Sequence, residues 1–188
     1  MARKIALGVA AVVVVFFLVV VTRPAKFHVE RSATIGAPPD TVFASVNDLH
    51  EWSAWSPWEK LDPQMKRTYE GPPSGQGASY AWTGNDKVGE GRMTVERSEK
   101  PQLVGIKLEF IKPWEATNAT TFTFSPSPEG TRVTWAMDGN HNFMGKAASL
   151  FMDMDKMVGG DFERGLASMK GVAETRARAR AEARTGEK

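Results

Sequence analysis

Side chains able to exchange protons or fix a polar ligand are few in this chain and stand far apart in sequence. Tyr69, Tyr80, Asp138 and His141 fall in or beside strand-like segments, where they could orient a bound molecule by hydrogen bonds. Acid–base catalysis needs a proton donor and an acceptor that converge on one reacting group. The sequence shows no such pair clearly, so it favours binding over catalysis and leaves an enzymatic role open.

The sequence lacks the common signatures of metal and nucleophile chemistry. His28, His50 and His141 are widely separated, and none has a partner at a metal-ligand spacing. The segment Asp153-Met154-Asp155 has neither the glycine nor the distal glutamate of a calcium loop. The chain has no cysteine and no Gly-x-Ser-x-Gly elbow. We therefore predict no metal and no cofactor.

The densest group of large side chains is the stretch WSAWSPW, in which Trp52, Trp55 and Trp58 recur every third residue. This spacing places the three indoles on one side of a helical turn, and a buried indole N–H needs an acceptor. The group could plug one end of a core or line the mouth of a cavity. Its place between the first strand and the later strands favours a mainly structural lid over a cavity's end.

Apolar periodicity predicts the elements that must position these residues. Phe27 to Ile35 alternates as a strand, a helix opens at Thr41, and Leu49 to Trp58 forms a second short helix. Six more strands follow with no helix between them, at 65–69, 78–82, 89–98, 103–111, 116–125 and 131–138. From Leu150 to Val172 the period changes to three and four, which predicts an amphipathic helix of roughly 25–35 residues.

These elements predict an α+β fold, because six strands in succession indicate an antiparallel meander rather than βαβ units. A curved antiparallel sheet of about seven strands would wrap around the long C-terminal helix, with two short helices after strand 1. Such packing is rarely complete, so a cavity is expected between helix and sheet. The pair Gly159-Gly160 predicts a bend or a close approach of the helix to the sheet.

Three segments resemble one family. ATIGAPPDTVFASVND, LHEWSAWSPWEK and MDKMVGGDFERGLASMKGVAE are similar to the opening strand and helix, the Trp-rich connector and the final helix of the START-like (SRPBCC) superfamily, in its polyketide cyclase/dehydrase and lipid-transport branch. The resemblance covers about residues 27–173 and implies the helix-grip fold. It supports a real ligand cavity, whereas each lining residue taken singly also fits a filled core.

The expected ligand-binding cavity has two walls. On the connector and the strand faces we expect Trp55, Trp82, Met93, Val95, Ile106, Leu108, Phe110, Phe122, Phe124, Trp135 and Met137; on the long helix we expect Met154, Met157, Val158, Phe162 and Leu166. Methionine is flexible and suits an adaptable binding surface, although it also fills gaps in a core.

An uncharged run from Ile5 to Thr22 precedes the folded domain. Eighteen residues at about 1.5 Å each span roughly 27 Å, close to the hydrocarbon thickness of a bilayer. A cleaved signal peptide is the alternative, but the run is long for one and ends without Ala-x-Ala. We predict that residues 1–26 form an uncleaved transmembrane anchor, with the soluble domain on the extracytoplasmic, periplasmic side.

Charge is distributed unevenly along the chain. Residues 1–26 carry four basic groups and no acidic ones, while residues 27–173 carry 15 basic and 19 acidic groups. A mildly acidic domain argues against a nucleic-acid surface. The basic, Arg/Ala-rich tail at 174–188 is expected to be a helix end or disordered. Oligomeric state is not predicted.

Three functions fit these observations. The favoured one is a membrane-tethered module that holds a hydrophobic small molecule or lipid in its cavity, by burial of apolar surface at about 25 cal/mol per Å². The second is an enzyme resembling a polyketide cyclase or dehydratase. The third is a non-catalytic structural or interaction protein with a filled core.

Overall fold

The computed structural model describes residues 2–186, which form four α-helices, two 3₁₀ helices and seven strands. In chain order these are α1 (Ala2–Thr22), β1 (Lys26–Ile35), α2 (Pro39–Asn47), the 3₁₀ helices Leu49–Ala54 and Pro57–Lys60, β2 (Lys66–Glu70), β3 (Ser79–Thr83), β4 (Glu90–Glu99), β5 (Leu103–Lys112), β6 (Ala116–Ser127), β7 (Gly130–Asn140), α3 (Phe143–Ala148) and α4 (Met154–Gly186).

The seven strands form one antiparallel sheet in the order β1-β7-β6-β5-β4-β3-β2. Strand direction alternates along this order, so the start of β1 lies at the same end of the sheet as the β5–β6 turn, the β3–β4 turn and the close of β7. We call this the proximal end, because α1 stops only three residues before β1. The opposite end, which holds Gly130 and the start of α2, is the distal end.

Strand register arranges the concave face, which α4 covers, in rows that cross the sheet. The first row joins Val104, Phe122, Trp135 and Arg31. Nearer the proximal end, the second row joins Val95, Ile106, Thr120, Met137 and Val29. The third row joins Tyr80, Met93, Leu108, Asn118, Gly139 and Phe27, and the fourth joins Arg67, Trp82, Gly91, Phe110 and Ala116.

Helix α4 packs chiefly along β1, and two glycines allow the close approach. At Gly159 a Cβ would overlap the guanidinium of Arg31, which lies across the helix and bonds Asp155 and Glu163 on its two sides at 2.9 and 2.8 Å. At Gly165 a Cβ would stand 2.7 Å from the Trp135 ring. The expected close approach of helix to sheet is thus present at Gly159.

The structure confirms the curved antiparallel sheet, the long C-terminal helix and the α+β class, and corrects two details. The segment expected to be one helix from Leu49 to Trp58 is two 3₁₀ helices, since Pro57 lacks the N–H needed to continue the first. A separate helix, α3, precedes α4, which begins at Met154 rather than Leu150. Of the two alternatives expected for the tail, the helix end is present in residues 174–186, which continue α4.

Helix α1 has the length and composition to cross a membrane, and among residues 2–186 it alone meets that test. Its apolar side chains are exposed along its length apart from Val20. A signal sequence near the N-terminus would meet the same test.

Candidate functional site

The first row of the concave face is closed by a packed aromatic cluster. Trp135 stacks between Phe122 and Phe162, with ring centroids 4.7 and 4.1 Å away. Trp52 and Trp55 meet both Phe122 and Trp135 edge-on. Because 3₁₀ geometry has three residues per turn, Trp52 and Trp55 eclipse each other and point the same way. This part of the interior is solid.

The indole N–H groups of the two buried tryptophans in the connector, Trp52 and Trp55, both donate hydrogen bonds. Trp52 Nε1 donates to the Val46 carbonyl at 3.0 Å, and Trp55 Nε1 donates to the Ser45 carbonyl at 2.8 Å. Both acceptors lie in the last turns of α2, whose terminal carbonyls lack partners within the helix. The cluster therefore ties α2, the connector and the sheet together, which supports the structural reading of WSAWSPW.

Two buried donors on the concave face have no hydrogen-bond partner. Thr120, 4 % exposed in the second row, has an unpaired hydroxyl, and Trp135 has an unpaired indole N–H. The two residues are diagonal neighbours, since Thr120 faces Met137 and Trp135 faces Phe122. A buried polar group without a partner costs about 1–3 kcal/mol. Such a pair on an apolar face is therefore a candidate contact for a polar atom of a ligand.

Toward the proximal end the apolar face is less completely covered. Leu108 in the third row and Trp82 and Phe110 in the fourth are only half-buried, whereas the second row is buried throughout. Trp82 meets Phe110 edge-on at 6.2 Å and donates from Nε1 to the Val88 carbonyl. Asn118, 7 % exposed, is a polar group among these apolar side chains.

A partly buried ion pair lies on the β2–β3 side of the same face. Both oxygens of Glu59 are bonded: Oε1 accepts from the Tyr80 hydroxyl at 2.7 Å, and Oε2 accepts from Arg67 at 2.7–2.8 Å. Burial, reinforced by the bond to Glu59, raises the pKa of Tyr80 well above its ordinary value. Burial also raises the pKa of Tyr69, which stacks on Tyr80 and under His50. Both tyrosines therefore stay protonated at neutral pH.

The four polar candidates occupy three different places. Tyr69 and Tyr80 lie together beside Glu59 on the concave face. Asp138 follows Met137 in β7, so its side chain lies on the opposite, convex face. There its carboxylate accepts a hydrogen bond from His28 Nδ1 at 2.8 Å. His141 stacks on Phe27 at the proximal end, and partial burial lowers its pKa. The structure therefore does not bring the four together.

The apolar candidates divide by position. Trp55, Phe122, Trp135, Phe162 and Leu166 belong to the packed cluster or its border, and Phe124 packs against Phe43 near the distal end. Met93, Val95, Ile106 and Met137 are buried in the second and third rows. Val158 and Met154 are half-buried at the start of α4, while Met157 there is 46 % exposed.

Two surface grooves lie at the proximal end. One, of about 480 Å³, runs between Arg23, Lys26 and His141 on one side and the α3–α4 connection, Ser149 to Met154, on the other. The other, of about 540 Å³, is bordered by Lys26, Lys107 and Asp138. The first places exposed apolar side chains, Phe151 and Met152, beside basic ones.

Four residues of the site were not predicted: Glu59, Arg67, Asn118 and Thr120. The alternation of side chains along β6 would have identified two of them, because Asn118 and Thr120 share the face of Phe122 and Phe124. Arg67 likewise shares a face with Tyr69. Glu59 carries no local signal, since its burial depends on the fold of the connector over β2 and β3.

The chain matches the model of a known protein family across the whole folded domain. The family is described as "Polyketide cyclase / dehydrase and lipid transport", and the match covers residues 26–174. The comparison with curated proteins gives no match.

Solved structures with the same fold share little sequence with this chain. The di-domain ARO/CYC StfQ from the steffimycin biosynthetic pathway has a TM-score of 0.61 at 11 % identity, over 81 % of this chain and 52 % of that one. Protein SA2116 from Staphylococcus aureus has a TM-score of 0.60 at 12 % identity, over 83 % and 98 %. The Aha1 protein of Colwellia psychrerythraea has a TM-score of 0.57 at 15 % identity, over 79 % and 96 %. At these identities the likeness concerns the fold alone.

Proposed function

The chain belongs to the polyketide cyclase / dehydrase and lipid transport family, and from this premise we propose that its domain binds a hydrophobic small molecule or lipid on the concave face, beside the membrane that α1 would span. The observation that carries the proposal is the pair of unpaired buried donors, Thr120 Oγ1 and Trp135 Nε1. Trp135 belongs to the packed cluster of the first row, and Thr120 lies in the second row, one row nearer the less covered proximal end.

The chemistry of this face suits a ligand that is mostly apolar with one polar end. Leu108, Phe110 and Trp82 offer apolar surface that remains partly exposed. Burying such surface contributes about 25 cal/mol per Å². A carbonyl or hydroxyl oxygen of the ligand could accept from Thr120 or Trp135, and this would remove the cost of leaving a donor unpaired. We therefore expect a ligand with an oxygen acceptor rather than a pure hydrocarbon.

The alternative of a cyclase-like enzyme draws less support from this geometry. The buried carboxylate on the concave face, Glu59, already accepts hydrogen bonds from Arg67 and Tyr80. A general base must reach the proton that it removes, and both oxygens of Glu59 are occupied. His141, the remaining candidate base, lies at the proximal end apart from Tyr69 and Tyr80.

Native mass spectrometry of the full chain, released from nanodiscs made with lipid of its host membrane, tests the proposal. We expect a bound apolar species at up to one copy per chain. Leu108→Trp, which puts a larger side chain at a half-buried position of the third row, should lower that occupancy, while Trp114→Ala at an exposed turn should not. The proposal fails if the unsubstituted chain carries no such species, or if Leu108→Trp leaves its occupancy unchanged in a folded protein.

A second candidate is an interaction protein with a filled interior, and the solid packing around Trp135 favours it. In that case the unpaired donors would be a purely structural cost, and no apolar species would accompany the chain. The same mass measurement therefore separates the two candidates.

A further inference from the structure

Outside α1, the exposed large apolar side chains of the described residues gather at one end of the molecule. All of them lie at the proximal end, in the connector before β2, at the end of β5, in the β5–β6 turn, in α3, in the α3–α4 connection and at the start of α4. This set, the proximal rim, comprises Leu61, Ile111, Trp114, Phe143, Met144, Phe151, Met152 and Met157. Phe151 is 82 % and Trp114 is 76 % exposed. A concentration of exposed apolar side chains at one end of a protein is typical of an interaction site.

Chain connectivity keeps the proximal rim near the membrane surface. Helix α1 ends at Thr22 and β1 begins at Lys26. Four Cα steps reach at most about 14 Å even when the chain is fully extended. With α1 across a bilayer, the proximal end of the sheet must therefore lie at the membrane boundary, whatever tilt the domain adopts.

Contacts between α1 and α3 set the depth of the rim. The ring of Phe143 lies 4.7 Å from the ring of Phe17, and Lys146 Nζ donates to the Val21 carbonyl at 3.3 Å. Phe17 precedes the end of α1 by five residues, which is about 7.5 Å along a helix. Amphipathic segments that lie in a membrane interface bury their apolar face by about 5–10 Å. The level of Phe143 matches that depth.

Basic side chains flank the apolar rim as lipid phosphates would require. Among residues 2–186, Arg23, Lys26 and Lys146 stand at this end without a carboxylate partner. Arg23 and Lys26 border the groove that also holds Phe151 and Met152. The nearby carboxylate of Asp153 is paired with Lys156 at 3.5 Å. Cations next to exposed apolar side chains are typical of surfaces that bind anionic lipid.

We infer that the proximal rim docks in the interfacial layer of an anionic bilayer, with Phe143, Phe151 and Trp114 in the lipid and Arg23, Lys26 and Lys146 among the headgroup phosphates. The inference rests on the membrane tether of the proposed function. Docking would hold the groove beside α3 and α4 against the lipid. It also directs the basic tail away from that surface, because α4 runs toward the distal end, where Glu174 accepts from the Gly36 N–H.

The absence of cysteine from the chain makes a depth measurement direct. Single cysteines replace Phe151, Trp114 and, as the distal control, the exposed Glu129 in the β6–β7 turn. Each full-length variant is reconstituted in vesicles of phosphatidylcholine and phosphatidylglycerol and carries a nitroxide label. Collision with oxygen, which enters lipid, and with a water-soluble nickel chelate then reports the depth of the label. We expect a several-fold higher oxygen-to-nickel ratio for Phe151→Cys and Trp114→Cys than for Glu129→Cys.

Two results would overturn the inference. Rim labels as accessible to nickel as the Glu129→Cys label would place the rim in water. Rim labels shielded from both reagents would indicate that the rim packs against another copy of the chain instead of lipid. Neither outcome depends on bound ligand, so a failure of docking is distinguishable from a failure of ligand binding.

A separate comparison tests whether docking depends on the charge of the lipid. Replacing phosphatidylglycerol by phosphatidylcholine should reduce the depth of the Phe151→Cys label. The added changes Lys26→Gln and Lys146→Gln should weaken that dependence on lipid charge, since Arg23 alone remains. Arg184→Gln, in the tail at the far end of α4, should leave it intact. An identical lipid response in all three proteins would show that these lysines do not bind headgroups.

Discussion

Trp135 and Trp114 belong to one sheet, yet their surroundings are opposite. Trp135 is buried between Phe122 and Phe162 under α4, whereas Trp114 projects from the β5–β6 turn with most of its surface exposed. The first serves the packed cluster, and the second belongs to the proximal rim. The same residue type therefore supports stability at one place and offers a contact surface at another, according to what covers it.

The largest expected effect separates these two tryptophans. Trp135→Ala should lower the free energy of unfolding by about 3–5 kcal/mol, because it leaves a void that five neighbouring rings line. Trp114→Ala should change it by no more than about 0.5 kcal/mol, because an exposed ring has little packing to lose. Urea unfolding of the full chain in detergent micelles measures both. Equal losses would erase the distinction between cluster and rim.

The second-largest loss of stability is expected on disrupting the Glu59–Arg67 ion pair. Glu59→Gln removes the charge that faces Arg67 and weakens the acceptor of Tyr80, so we expect a loss of about 1–3 kcal/mol. Glu129→Gln in the exposed distal turn is the matched control and should be near neutral. If both variants unfold at the same urea concentration, the pair contributes nothing to stability.

Adjacent glycines of α4 should respond differently to alanine. Gly160→Ala gains helix propensity of about 1 kcal/mol, since its new Cβ meets only Arg164 at 3.6 Å. Gly159→Ala must displace the Arg31 guanidinium from its bonds to Asp155 and Glu163, which offsets that gain. Thermal unfolding followed by circular dichroism compares the two. A similar rise in Tm for both would mean that Arg31 does not need the close approach at Gly159.

Two histidines of the proximal end should give small pH effects of opposite sign. The bond to Asp138 raises the pKa of His28 above 6.5, so its stabilisation is present below pH 6.5 and is lost as pH rises through the folded pKa. Burial lowers the pKa of His141 below 6.5, so folding is disfavoured as pH falls from 6.5 through the folded pKa. Because the His28–Asp138 pair is exposed, we expect under about 1 kcal/mol.

Substitution by glutamine isolates each histidine. Between pH 5 and pH 8, His28→Gln should make the stability of the chain rise more steeply with pH, and His141→Gln should make it rise less steeply. Urea midpoints measured across this range supply the slopes. Shifts of the same sign in both variants would refute the assignment.

The sequence predicts the sheet well because each strand obeys a local rule. Alternation placed Val104 and Ile106 of β5, and Val133 and Trp135 of β7, on the face that is buried in the structure. The division of the predicted Leu49–Trp58 helix into two 3₁₀ helices and the presence of α3 were not predicted, since short helical turns depend on what they pack against more than on period. Glu59 was missed for the same reason.

The candidate site was predictable only in part. Alternation along the strands predicts which apolar residues share the concave face. Which rows of that face are covered depends on the position of α4, and α4 packs mainly along β1. The sequence places Phe162 and Met157 on the same apolar stripe of α4. It does not show that Phe162 covers the first row whereas Met157, one and a half turns earlier, is exposed.

Thr120→Val tests the central claim most directly, because valine matches threonine in shape and removes only the unpaired hydroxyl. The quantity to measure is the occupancy of the bound apolar species, by native mass spectrometry of the full chain from nanodiscs, beside its free energy of unfolding. We predict lower occupancy in a protein that is as stable as, or about 1 kcal/mol more stable than, the unsubstituted chain. Unchanged occupancy, or none in either protein, would contradict a ligand site at this hydroxyl.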